Sequence, residues 1–561
     1  MGENRRASEL SGRPKGLPFS TERICERADY DRARANFRWE CPENFNFGFD
    51  VIDAWAAASP DHTALHWVGA ETERRVTYAE LADRSGRFAR AVTQLPLARG
   101  DRVLVILPRI PEWWETLIGL LKAGVIAIPG TTLLTPKDLA YRIELAGVSA
   151  VITDTEGAEK IDAIASQVVG LKHRILVDKE PRPQWHSYEE LLSAQPAPLE
   201  RTETRRDDPA LVYFTSGTTG MPKMVLHTHA SYGIGHQITG RFWLDLRPDD
   251  LHWNVSDTGW AKAAWSSLFG PLGCGASLFV HHTSGKFQPS DVLDCLARYP
   301  ITTLCAAPTI YRFLVKLDLS SFRPAALRHC VAAGEPLNPE VINVWKEATG
   351  LTIRDGYGQT ETVLVCGNFP GVKVKPGSMG LPSPGFDLAA IDEEGRRRPV
   401  GEDGDLAIRI EANRPLGLFQ EYWRDPQATS NAFRQGWYRT GDCGHVDADG
   451  YFWFASRADD VINSSAYRIG PFEVESALVE HRAVVEAAVV GKPDAERGEI
   501  VKAFVVLAKG HLPSDALKHE LQEHVKHTTA PYKYPREIEF VEELPKTVSG
   551  KIRRVELRNR R

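Results

Sequence analysis

A strict alternation of strand and helix signals through the first half of the chain is the feature that most narrows its possible folds. Residues 103–107 form an apolar run suited to a buried strand. Pro111 then stands where a first-turn helix proline belongs, residues 113–122 carry helical spacing, and Gly124 supplies a left-handed stop before a second strand at 125–128. Upstream, Thr77 with Glu80 three residues later predicts a capping box ahead of a helix that runs to Leu95. Repeated units of this kind build a largely parallel sheet covered by helices, an α/β architecture. After about residue 375 the rhythm changes to short strands parted by turns, such as Asp447-Ala448-Asp449-Gly450 between strands at 444–446 and 451–454. Past Arg457 the order is a helix at 471–480, strands at 484–490 and 501–507, an amphipathic helix at 514–527 and a strand at 538–541. A chain of 561 residues is too long for one core. The expectation is a large domain over 1–456 and a small α+β domain over 457–561.

Tyr213-Phe214-Thr215-Ser216-Gly217-Thr218-Thr219-Gly220-Met221-Pro222-Lys223 follows the apolar Ala210-Leu211-Val212. Two glycines permit a tight turn, and four hydroxyls with a lysine offer donors to phosphate oxygens. A polar surface loop is the bland alternative, but loops seldom concentrate these residues directly after a buried strand. The Walker spacing fails because Gly220 is followed by Met221-Pro222-Lys223. A dinucleotide fingerprint fails at Ile238, where a third glycine is needed after Gly233-Ile234-Gly235. Asp447-Ala448-Asp449-Gly450 places glycine too early for a calcium loop.

A net charge of -6 gives no reason to expect nucleic acid as a partner. From Lys546 onward, however, Lys546, Lys551, Arg553, Arg554, Arg558, Arg560 and Arg561 face Glu556 alone, which suits either a solvated end or a phosphorylated ligand. The eight cysteines are scattered without a C-x-x-C pair and read as reduced core thiols. No apolar run reaches the roughly 18 residues of a membrane helix. The first residues show no signal-peptide core, position 6 is Arg where a myristoylation motif needs Ser or Thr, and Glu3 and Glu9 weaken a presequence reading. The expected compartment is the cytoplasm, with the mitochondrial matrix as the alternative.

The phosphate loop resembles the signature of the adenylate-forming superfamily of acyl-CoA synthetases, peptide-synthetase adenylation domains and luciferases. The resemblance runs from about residue 50 to the end of the chain. It takes in Gly334-Glu335-Pro336, Asp355-Gly356-Tyr357-Gly358-Gln359-Thr360-Glu361-Thr362, Tyr438-Arg439-Thr440-Gly441-Asp442, Arg457-Ala458-Asp459-Asp460 and Pro545-Lys546-Thr547-Val548-Ser549-Gly550-Lys551. Within it the chain is most similar to medium-chain acyl-CoA synthetases, on Asp257-Thr258-Gly259-Trp260-Ala261-Lys262, Tyr357 to Thr362, and Thr529-Ala530-Pro531-Tyr532-Lys533-Tyr534-Pro535-Arg536. The fold implied is a large domain of β-α-β layers with a distorted β-barrel subdomain, and a small C-terminal domain that rotates. The activity implied is activation of a short- or medium-chain, branched or aromatic acid as acyl-AMP with release of pyrophosphate, then thioester formation with CoA. The cofactors implied are ATP and Mg²⁺, with CoA as second substrate. Loading of a carrier protein, or a non-catalytic nucleotide-binding relative, are the alternatives.

By resemblance, Thr360 contacts the α-phosphate and Glu361 holds Mg²⁺, a role in which a carboxylate suits a hard cation. Alone, Glu361 would read as a solvated glutamate. Gly334, Glu335, Pro336, Asp355, Gly356 and Tyr357 line the adenine site, with Tyr357 free to stack on the base, and Gly358 and Gln359 belong to the nucleotide site. Asp442 and Arg457 meet the ribose. Lys551 bridges carboxylate and α-phosphate, as two approaching anions require. Asp459 is the hinge. Ser465, Ala466, Tyr467, Arg497 and Lys533 line the CoA tunnel, and the basic members suit its phosphates. Trp260, Lys262, Val363 and Leu364 lie at the acyl pocket, where a lysine can turn its amine to water. Two departures touch the thioester half: Ala466 stands where the group has glycine, and Leu133 where a close relative has a polar CoA contact.

Overall fold

The computed structural model describes residues 14, 17, 23–215, 222–283, 285, 287–411, 414–457, 460–464, 467–494, 497–546 and 552–560. Strands Arg102–Ile106 and Ile126–Pro129 lie side by side and parallel, joined by helix Pro111–Ala123. Its proline is in the first turn, and Gly124 closes it at φ +69, a conformation that other residues enter only with strain. Thr77 does cap helix Tyr78–Gln94 through the Glu80 amide, at 3.1 Å. The expected reciprocal half of that box is missing. Glu80 turns outward to Arg74 instead, because an ion pair with a neighbouring strand competes for its carboxylate.

These units build an eight-stranded sheet in the order Glu421–Tyr422, Lys223–Thr228, Pro209–Thr215, Ile126–Pro129, Arg102–Ile106, Ala150–Thr153, His173–Leu176, His186–Ser187. A second, nine-stranded sheet has at its centre the parallel strands Ile353–Tyr357, His329–Ala333, Thr303–Ala306, Leu251–Val255 and Ser277–His281. The nine-stranded sheet ends in antiparallel pairs on both sides, the eight-stranded sheet on one side only. The main core includes Phe88, Trp113, Tyr188, Tyr232 and Trp243, all wholly buried. A second core containing Leu304, Tyr311 and Trp345 fills the other face of the nine-stranded sheet.

A third, five-stranded sheet is antiparallel throughout and answers to the barrel subdomain. It contains Leu388–Ile391, Gly404–Arg409, Trp437–Val446, Phe433–Arg434 and Phe452–Arg457. The small C-terminal domain has its own sheet, dominated by Val484–Asp494 and Gly498–Leu507, and its own core around Val474, Leu478, Val489 and Leu521. Helix Pro471–Glu480 matches its expected bounds, and Ser514 caps helix Asp515–Thr528. The short helix Arg554–Arg558 returns to the start of this domain. Arg554 pairs with Glu475 at 2.8 Å and Arg558 with Asp460. Polar contacts across the seam to the large domain include Asn338 Nδ2 to Ser476 Oγ, 2.9 Å, and Lys316 Nζ to the Val485 carbonyl, 3.3 Å.

Candidate active site

Open parallel sheets leave a crevice beyond the carboxyl ends of their strands. Two such ends are set level here by register, with Ala332 opposite Asp355 and Ala333 opposite Gly356. The chain leaves the first through Gly334, at φ +112, and the second through Tyr357-Gly358-Gln359-Thr360-Glu361. Only glycine enters the first of these conformations without strain.

The third sheet delivers a carboxylate to this edge. Asp442 is buried and pairs in register with Arg457 on the adjoining strand, so Arg457 Nη1 donates to Asp442 Oδ1 at 2.9 Å. Asp442 Oδ2 accepts from Tyr357 Oη at 2.6 Å and Gln359 Nε2 at 2.7 Å. Gln359 is held in turn by the Tyr438 hydroxyl, 2.9 Å from its Oε1. Three donors, Tyr357, Gln359 and Arg457, thus meet on one carboxylate. Tyr357, expected to stack on a base, also spends its hydroxyl on Asp442. Burial, with the Asp442 charge beside it, raises that phenol well above its ordinary range.

Glu361 lies on the other side of Gln359. Burial pushes its carboxyl upward against the hydrogen bond from Tyr422 Oη, 2.9 Å from Oε1. Lys223 Nζ stands 4.8 Å above the same Tyr422 ring. Strand Lys223–Thr228 pairs Val225 with Tyr422, which brings the lysine after the phosphate loop and the Glu361 carboxylate to one tyrosine. Thr215 and Lys223 face each other across the hairpin. Among the described residues no group of three His, Cys, Asp or Glu side chains is set to hold a metal. Glu361 alone fits a hard cation that takes its remaining ligands from phosphate oxygens.

On the far wall, Glu335 accepts from the Thr309 amide at 2.8 Å and Arg312 Nη2 at 2.9 Å. Burial would raise its carboxyl, but Arg312 and Thr309 outweigh that and hold it low. Asp355 is buried and driven well above the carboxylate range, against the Gly356 amide at 2.9 Å. Lys262 points its amine at the Ala333 carbonyl, 3.0 Å away, rather than to water; burial lowers its pKa. Trp260 is half-buried just ahead of Lys262, whereas Val363 and Leu364 are wholly buried, with the Val363 amide bonded to the Gly417 carbonyl at 3.0 Å.

The residues expected on the CoA side belong mostly to the small domain. Tyr467 opens the strand that pairs with Ile462–Ser464, and Ser464 faces Gly498, the neighbour of Arg497. Lys533 pairs with Glu473. Leu133, in the large domain, is 62% exposed. Ser216, Gly217, Thr218, Thr219, Gly220, Met221, Asp459, Ser465, Ala466 and Lys551 lie outside the described residues. Tyr422, Thr309 and Arg312 were missed by sequence reasoning. Each sits outside any motif and reaches the cleft through strand pairing or helix placement, for which a single sequence carries no signal.

The AMP-binding enzyme model matches residues 52–423, and the AMP-binding enzyme C-terminal domain model matches 473–551. The chain is 49% identical over 542 residues to acyl-coenzyme A synthetase ACSM3, mitochondrial, of Mus musculus, covering 95% of this chain and 93% of that protein. Its fold is similar to the anthranilate CoA ligase AuaEII in complex with anthranoyl-AMP, at 33% identity and TM-score 0.85, covering 92% and 97% of the two chains. It is similar too to a benzoate CoA ligase from Burkholderia xenovorans LB400, at 30% identity and TM-score 0.80, covering 92% and 100%. The chain belongs to the AMP-binding enzyme family.

Proposed function

We propose that this protein is an ATP-dependent, AMP-forming acyl-CoA synthetase. The observation that carries the reading is the Asp442 carboxylate, held by Tyr357, Gln359 and Arg457 beside Glu361 at the ends of two parallel strands. An acceptor fixed in this way suits the paired hydroxyls of a ribose. Glu335, Asp355 and the Gly334 turn form the wall for the adenine. The loop from Thr215 through Ser216, Gly217, Thr218, Thr219, Gly220, Met221 and Pro222 to Lys223 cradles the phosphates. Thr360 meets the α-phosphate and Glu361 holds Mg²⁺. Bound there, the ion neutralises charge on the departing pyrophosphate.

The acid enters beside Trp260 and Lys262, and its carboxylate attacks the α-phosphorus with Lys551 screening the two anions. The small domain, residues 457–561, then turns about Asp459 against the large domain, residues 1–456. Lys551 withdraws and the CoA thiol reaches the acyl-AMP along Ser465, Ala466, Tyr467, Arg497, Lys533 and Leu133. Among the described residues no helix is long and apolar enough to cross a membrane. The cytoplasmic expectation finds no support in the relatives, whose names carry the word mitochondrial and favour the matrix alternative.

The test is acid-dependent ATP–pyrophosphate exchange across straight-chain, branched and benzoate-like acids, followed by thioester detection with CoA. Exchange with at least one acid and a CoA-dependent thioester are expected. ADP as the product, or exchange without any thioester, would overturn the reading.

A further inference from the structure

The turn that presents Thr360 and Glu361 is fastened from below by two residues with no assigned role. The Thr360 carbonyl accepts from His227 Nε2 at 2.7 Å and from Tyr232 Oη at 2.8 Å. Both side chains are wholly buried, and their rings lie 3.7 Å apart between centroids, tilted by 37°. A carbonyl oxygen has two lone pairs, and both are taken here by buried donors. Burial pushes the His227 pKa down to about 3, so the ring is neutral. With its proton on Nε2, Nδ1 is left to accept from the Ser231 hydroxyl at 2.9 Å.

The rest of the turn is tied through its own chain. The Thr362 amide donates to the Gln359 carbonyl at 3.1 Å, and the Phe419 amide to the Glu361 carbonyl at 2.8 Å. Rotating the Thr360–Glu361 peptide would strip both buried donors of their acceptor, so the pair selects one orientation of the residues that face the nucleotide. The clamp also reaches the acid side. Tyr232 Oη accepts from Trp265 Nε1 at 3.2 Å, three residues beyond Lys262. On the phosphate side, His227 shares a strand face with Val225 and Lys223.

We propose that His227 and Tyr232 are positioning residues for adenylation, a two-donor clamp on the Thr360 carbonyl that sets Thr360 and Glu361 for the phosphates. They touch no reacting atom; they act through the turn. The inference rests on the adenylation reading above. A wild-type protein without acid-dependent exchange would sink that reading, whereas the comparison of variants decides the clamp.

The experiment uses the full chain with an acid that supports exchange, and three variants: His227→Leu, His227→Gln and Tyr232→Phe. Each is assayed for exchange and for thioester formation from synthetic acyl-AMP and CoA, a step that no longer needs the Thr360–Glu361 turn set for pyrophosphate departure. Supporting residues of this kind typically carry about 10- to 100-fold in activity. His227→Leu and Tyr232→Phe are expected to lower the maximal exchange rate by that much and the acyl-AMP half-reaction by under about threefold. His227→Gln, whose amide can donate from nearly the place of Nε2, should recover most of the loss. Equal loss in both half-reactions, or His227→Gln no better than His227→Leu, overturns the proposal. Tyr232→Phe keeps the ring volume, so it decides the matter alone should His227→Leu fail to fold, and an unchanged exchange rate in it refutes the clamp.

Discussion

The three bonds that Asp442 gathers in the cleft differ in worth. Arg457 is 39% exposed on its side chain, so solvent screens its pair with Asp442 and its removal should cost at most about 1 kcal/mol. The bonds from Tyr357 and Gln359 to the buried carboxylate are charge-assisted and shielded. Asp442→Asn, which surrenders the charge and forces a donor against donors, is expected to cost about 1.5–3 kcal/mol, roughly 10- to 150-fold in the Michaelis constant for ATP. Arg457→Met should change it by less than about fivefold. Steady-state kinetics of the two variants decides the ranking, and equal effects would mean that the ribose reading of this carboxylate is wrong. Lys262 makes a different demand. Its amine serves the Ala333 carbonyl, so Lys262→Met should alter the rank order of acids by about 1–3 kcal/mol, graded along a series, with little change for ATP. An unaltered rank order across the acid panel would remove Lys262 from the acyl pocket.

At the level of elements, Asp245 ties the chain before the first helix to the nine-stranded sheet. Arg23 reaches its Oδ1 at 2.5 Å and Arg328 its Oδ2 at 2.6 Å, with Arg328 also on Asp250. Burial works to raise the Asp245 carboxyl, but the two guanidinium groups outweigh it and hold it below its ordinary range. A carboxyl depressed in the folded state stabilises the protein above its unfolded pKa, and the contribution is lost as pH falls through the folded value. Asp245→Asn keeps a residue that tolerates the left-handed backbone at φ +53 while removing the charge. It should therefore destabilise by about 3 kcal/mol at neutral pH and converge on the wild type in acid. Unfolding temperatures at one fixed scan rate across pH test this, and a difference that persists unchanged in acid would contradict it. Such ties were invisible in the sequence, whereas whole elements were not. Pro111 and Gly124 marked both ends of one helix because proline and glycine act locally on the backbone. Glu80 shows the limit: its spacing from Thr77 fitted a capping box, but its carboxylate went to Arg74, a choice made by sheet pairing. The motif residues Tyr357, Gln359, Glu361 and Asp442 were legible through the resemblance of their motifs to a family signature, while Tyr422 and His227 depend on which strands meet.

The whole molecule is a large body carrying a small one, and the mechanism proposed above assigns each half-reaction a different arrangement of the two. Lys551→Ala is expected to lower acid-dependent exchange by about 10²–10³ while thioester formation from synthetic acyl-AMP largely survives. Equal loss in both assays would remove Lys551 from its proposed part. The reverse asymmetry should follow at position 466. If position 466 lines the CoA path as proposed, Ala466→Gly should raise the CoA-dependent rate and leave exchange unchanged; a slower thioester step would refute that siting. The geometry around the tail has a mechanical corollary. Lys546 bridges across to Ile552 and pairs with Glu486 at 2.7 Å, while two residues further on Arg554 pairs with Glu475 and Arg558 with Asp460. Both feet of the segment that carries Lys551 are therefore bolted to the same small frame, one of them next to its entry point. On the mechanism proposed above, any turn of that frame carries both feet with it, as a shaft carries the key cut into it.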